Sequence, residues 1–258
     1  MSPVTRPSAT VGLMQDIKRL QAVVRTIFDA HNNPTDPPIR YMALSSRLSG
    51  IFNLGGDLAL FAQLIRERSR DALERYAKLS IDVIHTNSMN LDLPIITASV
   101  VQGDALGGGF EAALSSNLII AERSAKFGLP EVLFNLFPGM GAYTFLARRI
   151  DPAKAERMLL SGKIYSAEEL FETGVIDAVV EDGTGEQALY DHIIKYGRQF
   201  VSHRSIYKVR GIVNPITYDE MAQITDVWVD AAMSIGEDDL NRMERLAAAQ
   251  DRRWAKQS

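Results

Sequence analysis

Two glycine-rich turns constrain this chain more than any other feature of its sequence. The first is Phe52–Asp57 (FNLGGD), and the second is Ala105–Glu111 (ALGGGFE). A strand candidate precedes each turn, and a helix candidate follows it. Glycine adopts positive φ angles and lets the backbone approach a ligand closely, and the first N–H groups of a helix lack partners within the helix. Two such turns side by side would donate one N–H each to a single oxygen atom, as an oxyanion hole does.

Two other interpretations of these turns stay open. Each turn, taken alone, is compatible with a tight connection that has no chemical role. The three consecutive glycines Gly107–Gly109 also suggest nucleotide binding, but neither GxGxxG nor GxxxxGK[ST] occurs there. The nucleotide-binding interpretation is therefore weak.

Two glutamates near these turns are candidates for proton transfer. Glu111 falls in the first turn of the helix candidate, where a carboxylate also complements the helix dipole. Glu131 lies in the apolar stretch Leu129–Val132 (LPEV), where an ionised carboxylate is costly unless it has a partner or a function. Burial raises a carboxyl pKa toward the range that suits acid–base catalysis. The pattern leaves both the structural and the catalytic interpretation open.

The hydrophobic pattern predicts an α/β fold. An amphipathic helix is indicated by the spacing of Leu13, Ile17, Leu20, Val24 and Ile27. Strand candidates and helical stretches then alternate along the chain, which favours this fold class. The strand candidates are Arg40–Ser46, Ile95–Val101, Asn117–Ala121 and Val175–Val180, and the clearest helices are Leu58–Arg68 and Arg70–Met89. Ser49–Asp57 and Gly128–Gly141 are predicted loops, and the chain is predicted to be helical after about residue 185.

Composition and length narrow the class of protein. From the order of strand and helix candidates we predict that the 258 residues form a core, 1–199, and a helical oligomerisation or lid region, 200–258. The absence of cysteine excludes disulfides and thiolate chemistry, and a net charge of −4 argues against nucleic acid as a partner. No apolar run approaches the roughly 20 residues that span a bilayer, so we expect a soluble, cytoplasmic protein. No metal site is expected, because none of the four histidines stands near another at ligand spacing: His31, His85, His192 and His203.

Three motifs in order make the chain resemble a known family. FNLGGDL, ALGGGFEAAL and LPEVLFNLFPGMGA, followed by SGKIYSAEELFETGVIDAVV, resemble the crotonase (enoyl-CoA hydratase/isomerase) superfamily from about Arg40 to Val180. The resemblance implies a spiral of ββα units with a C-terminal helical region that assembles trimers or hexamers. The superfamily has a strand pair ahead of its first helix. This chain reaches that helix sooner, so we expect the strand pair to be shortened or missing.

The resemblance also implies roles for individual groups. The backbone N–H groups of Leu54 and Gly108 would hold the thioester oxygen and stabilise an enolate. Glu111 and Glu131 correspond to the two glutamates of the hydratases. In a dehydration, Glu131 would remove the α-proton and Glu111 would protonate the leaving hydroxyl. The presence of both glutamates favours hydratase or dehydratase chemistry over isomerase or decarboxylase chemistry.

Finer details resemble one subgroup, the diffusible signal factor (DSF) synthases of the RpfF type. The resemblance rests on Phe110–Leu114, Leu129–Tyr143, Ile224–Ala232 and Leu240–Arg253, and ordinary hydratases usually have a glycine where Asn135 stands. The implied reaction dehydrates a 3-hydroxyacyl group on acyl carrier protein to a cis-2-enoyl thioester. Hydrolysis then releases a cis-2-unsaturated fatty acid, a bacterial quorum-sensing signal. Substrate contacts are expected from Gly55, Gly107, Phe134, Leu136, Phe137, Met140 and Tyr143.

Alternative functions remain open. One is a CoA-dependent enoyl-CoA hydratase, and another is a non-catalytic protein of the same fold that regulates a signal-sensor protein. A sensor partner is itself implied by the subgroup resemblance, and no metal or redox cofactor is expected. The basic run Arg66, Arg68, Arg70 and Arg75 is either a docking surface for the acidic carrier protein or a solvated helix face.

Overall fold

Eight strands and eleven helices form within the part of the chain that the structure describes. The structure is a computed structural model that describes residues 7–31 and 36–255, apart from the side chains of 253 and 254. The strands are β1 Tyr41–Leu44, β2 Gly50–Asn53, β3 Ile96–Val101, β4 Gly103–Leu106, β5 Leu118–Glu122, β6 Lys126–Gly128, β7 Ile164–Ser166 and β8 Ala178–Val180. The helices are α1 Val11–Asp29, α2 Leu58–Arg66, α3 Arg70–Ser88, α4 Gly108–Leu114, α5 Ala142–Arg149, α6 Pro152–Ser161, α7 Ala167–Glu172, α8 Gly185–Tyr196, α9 Phe200–Val213, α10 Tyr218–Met233 and α11 Glu237–Ala255.

Consecutive strands alternate between two four-stranded sheets. One sheet has the order β1-β3-β5-β8 and is parallel throughout, and the other has the order β2-β4-β6-β7. In the second sheet only β7 runs antiparallel to its neighbour. Helices follow the strand pairs β1–β2 and β3–β4, so the chain winds as a spiral of ββα units. The predicted α/β class and crotonase-like architecture are confirmed.

The sequence explains the central elements directly. β3 and β5 are buried along their whole length, which is why they appear as continuous apolar runs rather than alternating ones. α2 begins where the Asp57 side chain accepts the N–H of Leu60 at 3.2 Å, as an N-cap does. The predicted helix Arg70–Met89 is confirmed as α3, and Leu73, Ala77 and Ile81, which recur at helical spacing, are fully buried on its inner face.

Two kinds of element differ from the prediction. The predicted loop 49–57 contains β2, and the turn after β3 continues into β4. The other difference is in α1, where Leu20 and Ile27 of the predicted inner face are 39% and 42% exposed. The buried positions of this helix are Met14, Gln21 and Val24.

The C-terminal helices pack on the core of the spiral. α10 lies against α3, α11 lies against α2, and the Trp228 ring lies 5.3 Å from that of Phe61. One hydrophobic cluster therefore includes residues on both sides of the predicted boundary at 199/200. The division into two regions stays a prediction. No helix in the described part of the chain has the length and apolar character that a membrane crossing requires.

Three of the four arginines after the first glycine turn, Arg66, Arg68 and Arg70, bond to groups of the C-terminal helices. Arg66 pairs with Glu237 at 3.2 Å and also with Glu244, and Arg70 pairs with Asp230 at 2.6 Å. These contacts tie α2 and α3 to the C-terminal helices. The structural interpretation of the basic run is therefore favoured over a docking surface for an acidic partner.

Candidate active site

The two glycine turns lie against each other. Strands β2 and β4, which lead into them, pair in parallel with Gly50 opposite Gly103 and Asn53 opposite Ala105. A Cβ atom on Gly109 would lie 2.2 Å from the carbonyl oxygen of Asn53, well inside van der Waals contact. Glycine is therefore required at 109, because any side chain there would separate the turns.

Two backbone N–H groups are available where the turns meet, and one of them differs from the prediction. The N–H of Leu54 donates to the carbonyl of Pro7 at 2.7 Å, so the prediction that Leu54 serves the oxyanion hole is wrong. The N–H groups of Gly56 and Gly108 have no acceptor among the described residues. They are close neighbours, since a Cβ atom on Gly108 would lie 3.6 Å from the Gly56 nitrogen.

Glu111 is a buried carboxylate held by two backbone groups. The side chain is on α4, is 1% exposed, and its Oε1 accepts the N–H of Met140 at 2.8 Å and that of Ala142 at 3.0 Å. Burial raises the pKa of Glu111 to about 7, although the two N–H groups favour the ionised form. Glu111 therefore ionises near neutral pH while its position is fixed by the segment leading into α5.

Glu131 carries the second carboxyl and lies in the 3-10 turn Pro130–Phe134, where the residue as a whole is half-buried. Its Oε1 lies against Gly107, where a Cβ atom would approach to 2.6 Å. Its Oε2 is inaccessible to solvent and has no hydrogen-bond partner among the described residues. Burial, and then the charge of Glu111, raise the pKa of Glu131 to about 8. Between these two pKa values the pair holds about one proton, so it supplies one acid and one base.

A small cavity joins these groups. Both glutamates line it with Gly56 and Gly108, and its volume is about 30 Å³, which is room for about two water molecules. Of the predicted substrate contacts, Phe134, Leu136 and Met140 line this cavity.

The other predicted contacts fall elsewhere. Gly55 and Gly107 line a neighbouring cavity that also contacts Glu131. Phe137 and Tyr143 are not among the residues lining either cavity. Tyr143 was expected to face the substrate, but it is 41% exposed, and its hydroxyl lies 3.3 Å from Glu156 because this face of α5 points outward.

A larger apolar cavity reaches the same two glycines, and sequence reasoning missed it. It has a volume of about 150 Å³, touches Gly56, Gly108 and Met140, and extends between α1 and α3. Its main apolar lining residues are Leu13, Met14, Ile17, Leu44, Phe52, Val83, Ile84 and Ala112. The signal in the sequence is the apolar stripe of α1 at Leu13 and Ile17, but such a stripe shows only that one face of the helix is apolar and not that it lines a cavity.

Within residues 7–31 and 36–255, no group of three or more His, Asp or Glu side chains is arranged to hold a metal ion. The candidate site thus consists of two carboxyl groups, two backbone N–H groups and the cavities beside them.

Two curated enzymes are similar in sequence to this chain. Methylglutaconyl-CoA hydratase from rat mitochondria is 29% identical over 167 residues, which is 65% of this chain and 51% of that protein. Carnitinyl-CoA dehydratase from Citrobacter koseri is 31% identical over 167 residues, which is 65% of this chain and 59% of that protein. The chain thus spans about half the length of the curated relatives it matches.

The fold and a family model agree with these similarities. The crystal structure of enoyl-CoA hydratase from Bacillus halodurans superposes with a TM-score of 0.70 at 22% identity, covering 91% of this chain and 89% of that one. The family model described as enoyl-CoA hydratase/isomerase matches residues 20–233. Because that match covers most of the chain, this protein belongs to the enoyl-CoA hydratase/isomerase family.

Proposed function

We propose that this protein adds water to a 2-enoyl thioester, or removes water from a 3-hydroxyacyl thioester. The observation that carries the proposal is the pair of carboxyls with raised pKa values, Glu111 and Glu131, in one cavity with the N–H groups of Gly56 and Gly108. The reaction moves one proton at the α-carbon and another at the oxygen atom that joins or leaves the β-carbon, and two such carboxyls supply one group for each transfer. The names of the curated relatives, a hydratase and a dehydratase, agree with this chemistry.

In the hydration step, the two N–H groups and the two glutamates each have one role. The thioester oxygen accepts the N–H groups of Gly56 and Gly108, which stabilise the charge that develops on it. The Glu111 carboxylate takes a proton from water, and the water oxygen bonds to the β-carbon. The electron pair of the double bond moves toward the α-carbon and the carbonyl, and Glu131 then donates its proton to the α-carbon. Dehydration is the reverse, so Glu131 removes the α-proton and Glu111 protonates the leaving hydroxyl.

Activity should have a bell-shaped dependence on pH. Hydration needs Glu111 ionised and Glu131 protonated, and their pKa values are raised to about 7 and about 8. The kcat/KM for hydration should therefore be highest between about pH 7 and about pH 8. It should decrease below this range as Glu111 gains a proton, and above it as Glu131 loses one. Steady-state kinetics across about pH 5–10 provide the measurement, and a flat profile would contradict the assignment.

The basic test of the proposed reaction is a hydration assay. Purified protein is incubated with four-carbon and ten-carbon 2-enoyl-CoA, and the 3-hydroxyacyl product is measured by mass spectrometry. The proposal expects conversion of at least one of these substrates to an equilibrium mixture, also reached from the 3-hydroxyacyl side. Absence of conversion in both directions, with protein shown to be folded, would refute it for CoA esters.

A more specific proposal is the signal-synthase reaction. The apolar cavity beside Gly56 and Gly108 offers space for a medium-length acyl chain. The four sequence stretches that resemble the DSF synthases also support it. In the second step, water attacks the thioester carbonyl, the carbon–sulfur bond breaks, and the thiol leaves as the free acid forms. Against this, both curated relatives are named for CoA esters, which supports the CoA-dependent alternative at least as well.

A product assay separates the two versions. Ten-carbon 3-hydroxyacyl groups are supplied on acyl carrier protein and, separately, on CoA. Free cis-2-enoic acid formed from the carrier-bound substrate would support a signal synthase. Reversible conversion to the trans-enoyl-CoA, without release of free acid, would instead establish a CoA-dependent hydratase.

Filling the apolar cavity should change chain-length preference. Ile17 lies on α1 and lines this cavity, so Ile17→Phe occupies part of its space. We expect kcat/KM for a ten-carbon substrate, relative to a four-carbon one, to decrease at least about tenfold. Val23→Phe is the matched control, because Val23 is on the same helix but 55% exposed. Equal ratios in the two variants would show that the acyl chain lies elsewhere.

Other expectations rest on the sequence alone. Assembly as a trimer or hexamer, a sensor-protein partner and a cytoplasmic location remain predictions. The non-catalytic alternative is disfavoured, because both glutamates lie in one cavity with unpaired N–H donors.

A further inference from the structure

A polar pocket lies at the opposite ends of the helices that build the candidate active site. Ser115, the C-cap of α4, lines this pocket, whereas Gly108 at the other end of α4 lines the catalytic cavity. At 1.5 Å per residue, a seven-residue helix separates the two by roughly 10 Å. The pocket has a volume of about 140 Å³ and opens between α5 and α9. The basic pocket, as we call it, is lined by Arg148, Arg149, Arg210, Tyr207 and Asn117, with Ser88, Asn90, Ser115, Ser116 and Asn214.

The arginines of the basic pocket are unequally neutralised. Arg148 forms a two-pronged pair with Glu220, at 2.9 and 2.6 Å. Arg149 has one carboxylate partner at longer range, 3.6 Å from Asp177, and its side chain is 10% exposed. Its guanidinium also donates to the neutral backbone carbonyls of Val175 at 3.2 Å and Ser116 at 2.5 Å. Arg210 has no carboxylate within ion-pair distance among the described residues. Three positive charges therefore face two negative ones.

The two less neutralised arginines also affect each other. Burial lowers the pKa of Arg149, and the neighbouring charge of Arg210 lowers it further. The negative charge of Asp177 partly offsets this lowering of the Arg149 pKa. The Oδ2 of Asp177 also accepts the N–H of Ile119 at 2.7 Å. An anion between the two guanidinium groups would relieve their repulsion.

Neutral donors in the basic pocket are also unused. Asn117 is 4% exposed, and its Oδ1 accepts the Thr97 N–H at 3.3 Å, but its amide nitrogen has no acceptor among the described residues. The Tyr207 hydroxyl likewise makes no hydrogen bond within the described part of the chain. Surplus positive charge and two unused donors are the features that a small oxyanion requires.

We propose that the basic pocket binds a phosphate group, held by Arg210 and Arg149 with Tyr207 and Asn117 as neutral donors. Guanidinium groups match the oxygens of phosphate in a planar, two-pronged geometry. Three arginines against two carboxylates leave a surplus of one positive charge, which a phosphate dianion exceeds by one unit. Phosphate also has one oxygen for each of the four side chains. The site is separate from the catalytic cavity, so it does not depend on the reaction proposed above.

Calorimetric titration with inorganic phosphate at constant ionic strength and about pH 7.5 tests the proposal. Saturable binding at one site per chain is expected. Arg210→Gln should weaken the Kd at least about tenfold, as expected for a lost charge-assisted contact. Tyr207→Phe, which removes only a hydroxyl, should weaken it several-fold. Lys208→Gln removes a charge from an exposed position of the same helix and should leave the Kd within about twofold.

Three results would overturn the proposal. They are no saturable heat with phosphate, equal weakening by Arg210→Gln and Lys208→Gln, and tighter binding of acetate than of phosphate at matched ionic strength. Circular dichroism of each variant establishes that it is folded. The Tyr207 ring packs under Arg210, with the guanidinium carbon 5.0 Å from the ring centre, and Tyr207→Phe preserves this contact. That variant therefore tests the site even if Arg210→Gln fails to fold.

Discussion

Replacing Glu131 with Gln is expected to reduce kcat for hydration by roughly 10²- to 10⁴-fold, the usual contribution of a general acid or base. The amide has nearly the same shape but cannot deliver a proton to the α-carbon. The fold should persist, because the Oε2 of Glu131 has no hydrogen-bond partner among the described residues that the substitution could break. Steady-state kinetics with a 2-enoyl thioester and the melting temperature of the same sample provide the two measurements.

A matched control separates catalysis from general damage. Glu172→Gln makes the same exchange at an exposed position at the end of α7 and should leave both kcat and the melting temperature unchanged. Near-normal activity in Glu131→Gln, with the control also active, would remove Glu131 from the mechanism. A lower melting temperature of Glu131→Gln would instead assign the residue a structural role.

Gly109→Ala is expected to destabilise the fold by about 3 kcal/mol or more. The added methyl would lie 2.2 Å from the backbone carbonyl oxygen of Asn53. Because the clash is with backbone atoms, it cannot be relieved by rotating a flexible side chain away. For a chain of this size that loss lowers the melting temperature by roughly 6–12 °C. Activity should decrease in the remaining folded protein, because the two N–H donors would be forced apart.

Gly211→Ala is the control for this substitution. Gly211 lies within α9, and a Cβ atom there would meet nothing within 4 Å. Alanine is favoured over glycine in a helix by about 0.5–1 kcal/mol, so this variant should be slightly more stable. A Gly109→Ala variant as stable as the wild type would show that the turns are not in close contact.

Elements with a strong repeating pattern were predictable from the sequence. The buried face of α3 and the apolar run of β3 follow from spacing and composition alone. β2 and β4 were not foreseen, because GIFN and GDAL are four residues long and carry glycine, asparagine or aspartate. Their strand structure depends on pairing with each other, which no local pattern shows.

The candidate site was predictable to a similar degree. Glu111 and Glu131 were identified from their setting, and the structure brings both into one cavity. Leu54 was chosen because a turn motif does not show which N–H is already bonded, and Pro7 lies far from it in sequence. The apolar cavity was missed because its walls come from α1, β1, β2, α3 and α4 together.

One departure in the motifs has a physical explanation. Asn135 stands where ordinary hydratases usually have glycine, and its φ angle is +58°. Asparagine adopts this left-handed conformation more readily than other side chains, so the turn after Glu131 keeps its geometry. The exchange therefore does not by itself separate a signal synthase from a hydratase.

The most direct test of the central claim is hydration of a 2-enoyl thioester in heavy water, with the product examined by mass spectrometry and NMR. If Glu131 delivers a solvent-derived proton to the α-carbon and Glu111 directs water to the β-carbon, the product carries one deuterium at the α-carbon and a hydroxyl at the β-carbon. Recovery of the unchanged enoyl thioester, or a product without deuterium at the α-carbon, would contradict the account.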